Sequence, residues 1–212
     1  MTTQNITESS NLIQNYSETQ ISQEIILSWE INFNYFVYAR ESSLDIIFNT
    51  QWDNINWNIF VILYWKWRSS GHIVSNISHS NCHINIFTLC LLQDDNEITI
   101  DWDVKLWKNI ANTQWHLLEK NIILWKKVKI KATPRLDVYS DNVQATHWVS
   151  IDKIDPESLL YIHTRWLSAS SAINLMVSGY IKNILNHFWD LSEESKIQIL
   201  QDILSHIVLP HD

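Results

Sequence analysis

The chain has 212 residues, 46% of them hydrophobic, which suffices to bury one core without disulfides or a structural metal. Its formal net charge of −8 argues against a general binder of nucleic acids or anionic membranes. It contains only two glycines and no G-x-G-x-x-G, G-x-x-x-x-G-K or G-x-S-x-G motif, which excludes Rossmann and P-loop nucleotide-binding folds and α/β-hydrolases.

The first segment, residues 1–22, is rich in Ser, Thr, Asn and Gln and predicts a disordered polar leader. It lacks the basic start and the apolar run of a secretory signal. The remaining residues, 23–212, predict one domain with a strand-rich part at 23–151 and a helical part at 155–208.

Apolar residues that alternate with polar ones predict strands through most of the region before residue 151. The clearest pattern runs through 83–92 and 97–107, which we expect to form an antiparallel hairpin. Residues 113–125 fit either a helix or a strand. The other predicted strands cover 27–37, 56–67 (apolar on both faces), 72–77, 124–131, 136–139 and 144–151.

The apolar period changes from that of strands to that of helices at Asp155-Pro156-Glu157, where an N-cap residue, a proline and an acidic residue predict a helix start. Three helices follow, with unusually broad apolar stripes. The predicted fold is therefore α+β: an antiparallel, Trp-rich sheet at about residues 27–151, followed by three C-terminal helices packed on it.

The two cysteines, Cys82 and Cys90, fall on one predicted strand. An extended segment of this length holds their sulfurs roughly 25 Å apart, at about 3.3 Å per residue, which excludes a bridge between them. Free thiols are typical of a reducing compartment, so we expect a cytoplasmic protein. The longest apolar run, residues 59–65, is too short to cross a bilayer.

Two groups of residues resemble small catalytic or metal sites. His79, Cys82 and His83 form a short cluster, but a metal site needs three or four converging ligands, and the sequence offers no second pair. Asp101 and Asp103 share one strand face, which is also where an antiparallel hairpin carries its solvent-facing polar residues. We predict no metal, no cofactor and no catalytic residue, and leave open whether scattered His and Asp residues converge.

One basic stretch stands out in an acidic chain. Its residues could follow a phosphate backbone, with a neighbouring tryptophan stacking on a base, or they could protect an exposed edge strand from aggregation. The nucleic-acid candidates are Lys120, Lys126, Lys127, Lys129, Lys131 and Arg135.

The chain contains twelve tryptophans, which predict a large core and an aromatic binding surface. The candidates for a protein interface on the helices are Trp166, Leu175, Tyr180 and Trp189. The leading hypothesis is a non-catalytic accessory or regulatory subunit that binds another protein, within a larger protein or nucleoprotein assembly. The alternatives are a small-molecule binding protein with a Trp-lined apolar pocket and an RNA-contacting subunit that uses the stretch from Lys126 to Lys131.

Overall fold

A computed structural model describes residues 2–16, 21–28, 32–39, 43–64, 69–93, 97–124, 128–164, 167–186 and 191–207. These residues form twelve strands followed by three helices. The strands are β1 (Thr2–Ile6), β2 (Ser10–Tyr16), β3 (Ile21–Leu27), β4 (Asn32–Ala39), β5 (Leu44–Thr50), β6 (Asn56–Leu63), β7 (Ser69–Ile77), β8 (His83–Leu92), β9 (Glu97–Leu106), β10 (Ala111–Ile123), β11 (Lys129–Val138) and β12 (Asn142–Lys153). The helices are α1 (Pro156–His163), α2 (Ala169–Leu185) and α3 (Glu193–His206).

The strands form two parallel sheets of six strands each. The odd sheet has the order β1-β3-β5-β7-β9-β11, and the even sheet has the order β12-β10-β8-β6-β4-β2. The chain alternates between the sheets, so each strand pairs with the strand two places along, as in the register of Thr2 with Gln23 and of Glu97 with Lys129. The result is a solenoid in which each coil contributes one strand to each sheet.

This parallel solenoid corrects the predicted antiparallel α+β fold. The expected hairpin of residues 83–92 and 97–107 is wrong, because β8 and β9 lie in different sheets and do not pair. An inward-facing strand has the same two-residue alternation in a hairpin and in a solenoid, so the pattern cannot identify its partner. Parallel strands also need a long crossover connection, and here the crossover between β8 and β10 is β9 itself.

The structure also bears on two other predictions, those for residues 1–22 and for residues 113–125. Residues 1–22, expected to be disordered, contain β1 and β2, which pair in register with β3 and β4. Residues 113–125, which fit either a helix or a strand, lie mostly in β10, a central strand of the even sheet.

The main core lies between the two sheets. Inward-facing residues of both sheets fill it, including Phe48, Trp57 and Trp102, none of them more than 1% exposed. Phe48 and Trp57 meet edge to face, with ring centroids 4.6 Å apart. Because neighbouring coils stack at the spacing of paired strands, their inward-facing side chains line up in rows along the solenoid.

A second core covers the outer face of the even sheet. Outward-facing residues of β6, β8 and β10, such as Ile62, Leu91 and Ile122, pack with Val177 and Ile181 of α2. Residues 59–63 of β6 are therefore buried on both faces, as the sequence predicted for residues 56–67, of which 65–67 lie outside the described residues. None of the described helices is both long and apolar enough to cross a membrane.

Polar residues cap the starts of the helices and occupy the corners of the solenoid. Asp155 Oδ1 accepts from Glu157 N at the start of α1, as its sequence predicted, and Ser168 and Ser192 cap α2 and α3. The corners before β6, β8 and β10 use asparagines with positive φ, which this residue tolerates better than most. These asparagines are Asn54, Asn81 and Asn109, and Asn112, which also has a positive φ, lies at the register shift at the start of β10.

Candidate functional site

A polar cluster interrupts the apolar interior of the solenoid near its last coils. It consists of Thr88 and Cys90 on β8 and of Glu119 and Asn121 on β10, all of them buried. Parallel pairing sets Glu119 beside Thr88 and Asn121 beside Cys90. Alternation turns all four side chains inward, because they continue the inward series of Trp115 and its neighbours.

The hydrogen bonds of this cluster are incomplete. Asn121 Nδ2 donates to Glu119 Oε1 at 2.8 Å and to Ser150 O at 3.1 Å. Thr88 Oγ1, Glu119 Oε2 and Asn121 Oδ1 are buried without a partner among the described residues. Leaving a buried polar atom unpaired costs about 1–3 kcal/mol. A cluster with three such atoms lowers stability, which is typical of a site kept for function.

Burial controls the protonation of the cluster. It raises the pKa of Glu119 to about 7, although the hydrogen bond from Asn121 favours the charged form. Burial also raises the pKa of Cys90 well above its usual value, and the Glu119 charge raises it further. In this environment the thiol is protonated at neutral pH, so it becomes a ligand or nucleophile only when a cation or a change of environment stabilises the thiolate.

A thiol beside a carboxylate offers one soft and one hard ligand to a metal. A protein site for zinc or an iron–sulfur cluster usually requires three or four ligands. The described residues contain no group of three or more His, Cys, Asp or Glu side chains that could hold a metal ion. Among the described residues, Cys90 and Glu119 therefore do not by themselves make up a complete ligand set.

The coil formed by β11 and β12, here called the terminal coil, lies next to this cluster. In register, Val149 lies beside Glu119 and Ile151 beside Asn121. Each of its two strands is paired on one side only among the described strands. Its side chains are correspondingly open: Trp148 is 68% exposed and Ile151 51% exposed, and Leu136 and Val138 of β11 are also exposed. Glu119 and Asn121 on β10 are thus one strand away from the edge strand β12, and Thr88 and Cys90 on β8 are two strands away.

The structure divides the predicted nucleic-acid candidates between two sheets. Lys120 lies on β10, on the outer face of the even sheet, with its Nζ 4.3 Å from the centroid of the Tyr180 ring. Lys129, Lys131 and Arg135 lie on β11 of the odd sheet and are exposed. Arg135 Nε donates to Asp103 Oδ1 at 2.6 Å. Lys126 and Lys127 lie outside the described residues.

The predicted helical interface is described only in part. Leu175 is exposed on α2, and Tyr180, further along the same helix, is half-buried against Lys120. Trp166 and Trp189 lie outside the described residues. Whether this face binds a partner stays a prediction.

The weak metal candidates have ordinary structural contacts. His79 Nδ1 lies 3.1 Å from Thr50 O, and Cys82 Sγ donates to Ser80 O at 3.5 Å. Burial raises the pKa of Cys82 to about 11. His83 begins β8. Cys82 and Cys90 are both unpaired, as their separation predicted.

Sequence reasoning missed the Cys90–Glu119 cluster because it left residues 113–125 open between helix and strand. Treated as a strand, this segment places Glu119 and Asn121 on the same face as Trp115 and Leu117, which is a buried face. Two charged or amide residues on an otherwise apolar strand face were the available signal.

Comparison with known proteins identifies the family. Residues 41–180, more than half of the chain, match the model of the SufBD core domain of the SUF system for FeS cluster assembly. An iron–sulfur cluster assembly SufBD family protein of Synechocystis is 22% identical over 59% of this chain and 28% of its own length. The iron–sulfur cluster assembly protein SufD of Escherichia coli is 20% identical over 53% of this chain and 26% of its own length. A SufBD family protein of Archaeoglobus fulgidus is 34% identical over 32% of this chain and 18% of its own length.

The chain spans only about a quarter of the length of the first two relatives. The matched region begins just before β5 and ends within α2, so it includes the polar cluster, the terminal coil and part of the helical layer. The chain belongs to the SufBD core domain family.

Proposed function

We propose that this chain is a non-catalytic accessory component of iron–sulfur cluster assembly that binds a partner protein through its terminal coil. The observation that carries this proposal is the pair of open strand edges on β11 and β12, together with the exposed apolar side chains beside them. The similar proteins, SufD among them, are named for iron–sulfur cluster assembly, and this supports a role for the chain in that process. Unpaired thiols support a cytoplasmic location.

The terminal coil has the features of a protein-binding edge. An open strand presents unpaired N–H and C=O groups that can pair with a strand of another chain. Proteins usually protect such edges with charge, but Trp148 and Ile151 are large, apolar and more than half exposed. A partner that adds a strand to β12 would bury both side chains and satisfy the edge.

The polar cluster gives this interface a role in the same process. Asn121 on β10 lies one strand from the edge strand β12 and Cys90 on β8 lies two strands from it, and Ile151 lies beside Asn121. Thiolates are the usual ligands of iron–sulfur clusters. A partner at the edge of β12 would bring its own side chains close to Cys90 and Glu119, so that iron or sulfur, as cargo, would be handled between two proteins.

The test is co-purification from the native source with a double variant of the edge, Trp148→Lys with Ile151→Lys. We expect the tagged wild-type chain to retain proteins of the SUF assembly machinery, and the double variant to lose at least about tenfold of them, because lysines on an edge oppose strand pairing. Retained proteins are identified and quantified by mass spectrometry.

The matched control is Trp52→Lys with Ile197→Lys, which places the same charges on exposed apolar residues outside the terminal coil, before β6 and on α3. The control should retain the partner at the wild-type level, and both variants should melt within a few degrees of the wild type. Equal retention by the edge variant and the control would reject the terminal coil as the interface.

A further inference from the structure

A row of charged side chains crosses four successive coils on the outer face of the odd sheet. It comprises Asp45 on β5, His72 on β7, Asp103 on β9 and Arg135 on β11. His72 Nδ1 lies 3.2 Å from Asp45 Oδ1, and His72 Nε2 lies 3.0 Å from Asp103 Oδ2. Arg135 Nε donates to the other oxygen of Asp103 at 2.6 Å. The row therefore links β5 to the terminal coil.

The geometry of this row specifies the protonation of the imidazole. Both ring nitrogens of His72 face a carboxylate oxygen at hydrogen-bond distance. A neutral imidazole has one N–H, so its other nitrogen would present a lone pair to a carboxylate. Only the imidazolium donates to Asp45 and Asp103 at the same time.

The charges around His72 favour that form. Asp45 faces the imidazole from β5. Two carboxylates face it from β9, those of Asp103 and of Asp101, which is the residue paired with His72 in the strand register. Arg135 on β11 contacts this row through Asp103. Burial by itself would lower the pKa of His72, but the hydrogen bonds and charges of Asp103 and Asp45 outweigh it and raise that pKa above 6.5. Ser22 Oγ also donates to Asp45 Oδ2, at 3.4 Å.

We propose that His72 is a proton-operated clamp that holds the coils of β5, β7 and β9 together and, through Asp103 and Arg135, steadies the terminal coil. When the ring loses its proton, one of the two carboxylates loses its donor and faces a lone pair instead. The edge that we propose as a partner-binding surface is then held less firmly. This inference concerns the pH response of the solenoid and stands whether or not that edge binds a partner.

The sign of the effect follows from the raised pKa. The clamp contributes fully to stability below the unfolded value of 6.5, and that contribution is lost as pH rises through the higher folded value. The side chains are partly exposed, so the effect is modest and screened by salt.

The experiment uses the whole chain and has two readouts. The first is an NMR titration of the His72 ring nitrogens, in which we expect both to be protonated at pH 6.5 and the midpoint to lie above 6.5. Asp45→Asn should lower that midpoint.

The second readout is the melting temperature of wild type and His72→Gln at pH 6 and pH 9. We expect the variant to melt about 1–4 °C lower than wild type at pH 6 and this gap to shrink at pH 9.

The control is His147→Gln, which changes an exposed histidine on β12 outside the row. The gap to wild type should change more between the two pH values for His72→Gln than for this control. A single-tautomer neutral ring at pH 6.5, a midpoint at or below 6.5, or a gap for His72→Gln that is equal at pH 6 and pH 9 would each overturn the clamp. Because none of these measurements involves a partner protein, their failure is distinct from the failure of the proposed function.

Discussion

The outer faces of the two sheets show how one backbone arrangement supports two different surfaces. On the odd sheet the outer face is polar: Asn76 Nδ2 donates to Asn49 Oδ1 at 2.9 Å, and Asn49 Nδ2 donates to Glu24 Oε1 at 2.7 Å. On the even sheet the corresponding positions include Phe60 and Phe87, which stack with ring centroids 5.3 Å apart. The three helices pack on the second face because that face offers the larger apolar area to bury.

The largest expected effect tests this difference with one substitution at matched positions. Ile62 on β6 faces outward under the helices and is fully buried, whereas Ile47 on β5 faces outward on the odd sheet and is half-buried. We expect Ile62→Ala to lower the free energy of unfolding by about 2–5 kcal/mol and Ile47→Ala by about 1 kcal/mol or less. Urea unfolding of both variants measures the difference, and equal losses would mean that the helices do not protect the even sheet.

The buried residues of the two sheets differ as well, because β10 of the even sheet carries the carboxyl group of Glu119, whereas the buried polar residues on β3, β5 and β7 of the odd sheet, Gln23, Thr50 and Ser75, are uncharged. The folded pKa of about 7 exceeds the ordinary glutamate value of 4.5, so the wild type loses stability as pH rises from about 4.5 through 7. At about 1.36 kcal/mol for each pKa unit, the loss is about 3 kcal/mol at pH 8.

Glu119→Gln removes this titration, so its free energy of unfolding should depend less on pH than that of the wild type. The measurement is urea unfolding at pH 5 and pH 8. Parallel pH profiles for the two proteins would show that Glu119 is not the titrating group. A buried acid that titrates near pH 7 would instead sharpen the contrast between the inner face of the odd sheet and that of the even sheet, which carries the candidate site.

The smallest expected effect concerns the corners that join the two sheets. Asn81 has a φ of 57° and accepts a hydrogen bond at its Oδ1 from Asn112 Nδ2 at 3.0 Å. Asn81→Ala loses this bond and strains the backbone, so we expect a loss of about 1–2 kcal/mol. Asn81→Gly also loses this bond but relieves the backbone strain, so its loss of stability should be smaller. Thermal melts of the two variants separate the contribution of the hydrogen bond from that of the backbone strain. An alanine variant as stable as the glycine variant would show that the positive φ causes no strain at this residue.

Much of the local structure could be predicted from particular residues. The alternation in 97–107 correctly predicted a strand, and Asp155-Pro156-Glu157 correctly predicted the start of α1. The partner of each strand could not be predicted, since β8 and β9 follow one another in sequence but lie in opposite sheets. The candidate site was missed for the same reason, because Cys90 and Glu119 meet only when β8 and β10 become neighbours.

By itself, the sequence determined which side chains face a core in strands with a clear two-residue period, such as β6 and β9, because this period turns alternate residues to opposite faces. It also determined where the helical region begins. Only the tertiary structure decided that the strands stack in parallel coils, that Cys90 and Glu119 share one buried cluster, and that His72 lies between Asp45 and Asp103. These contacts join residues about thirty positions apart, and a local period of two or of 3.6 residues carries no information about which distant strand lies alongside.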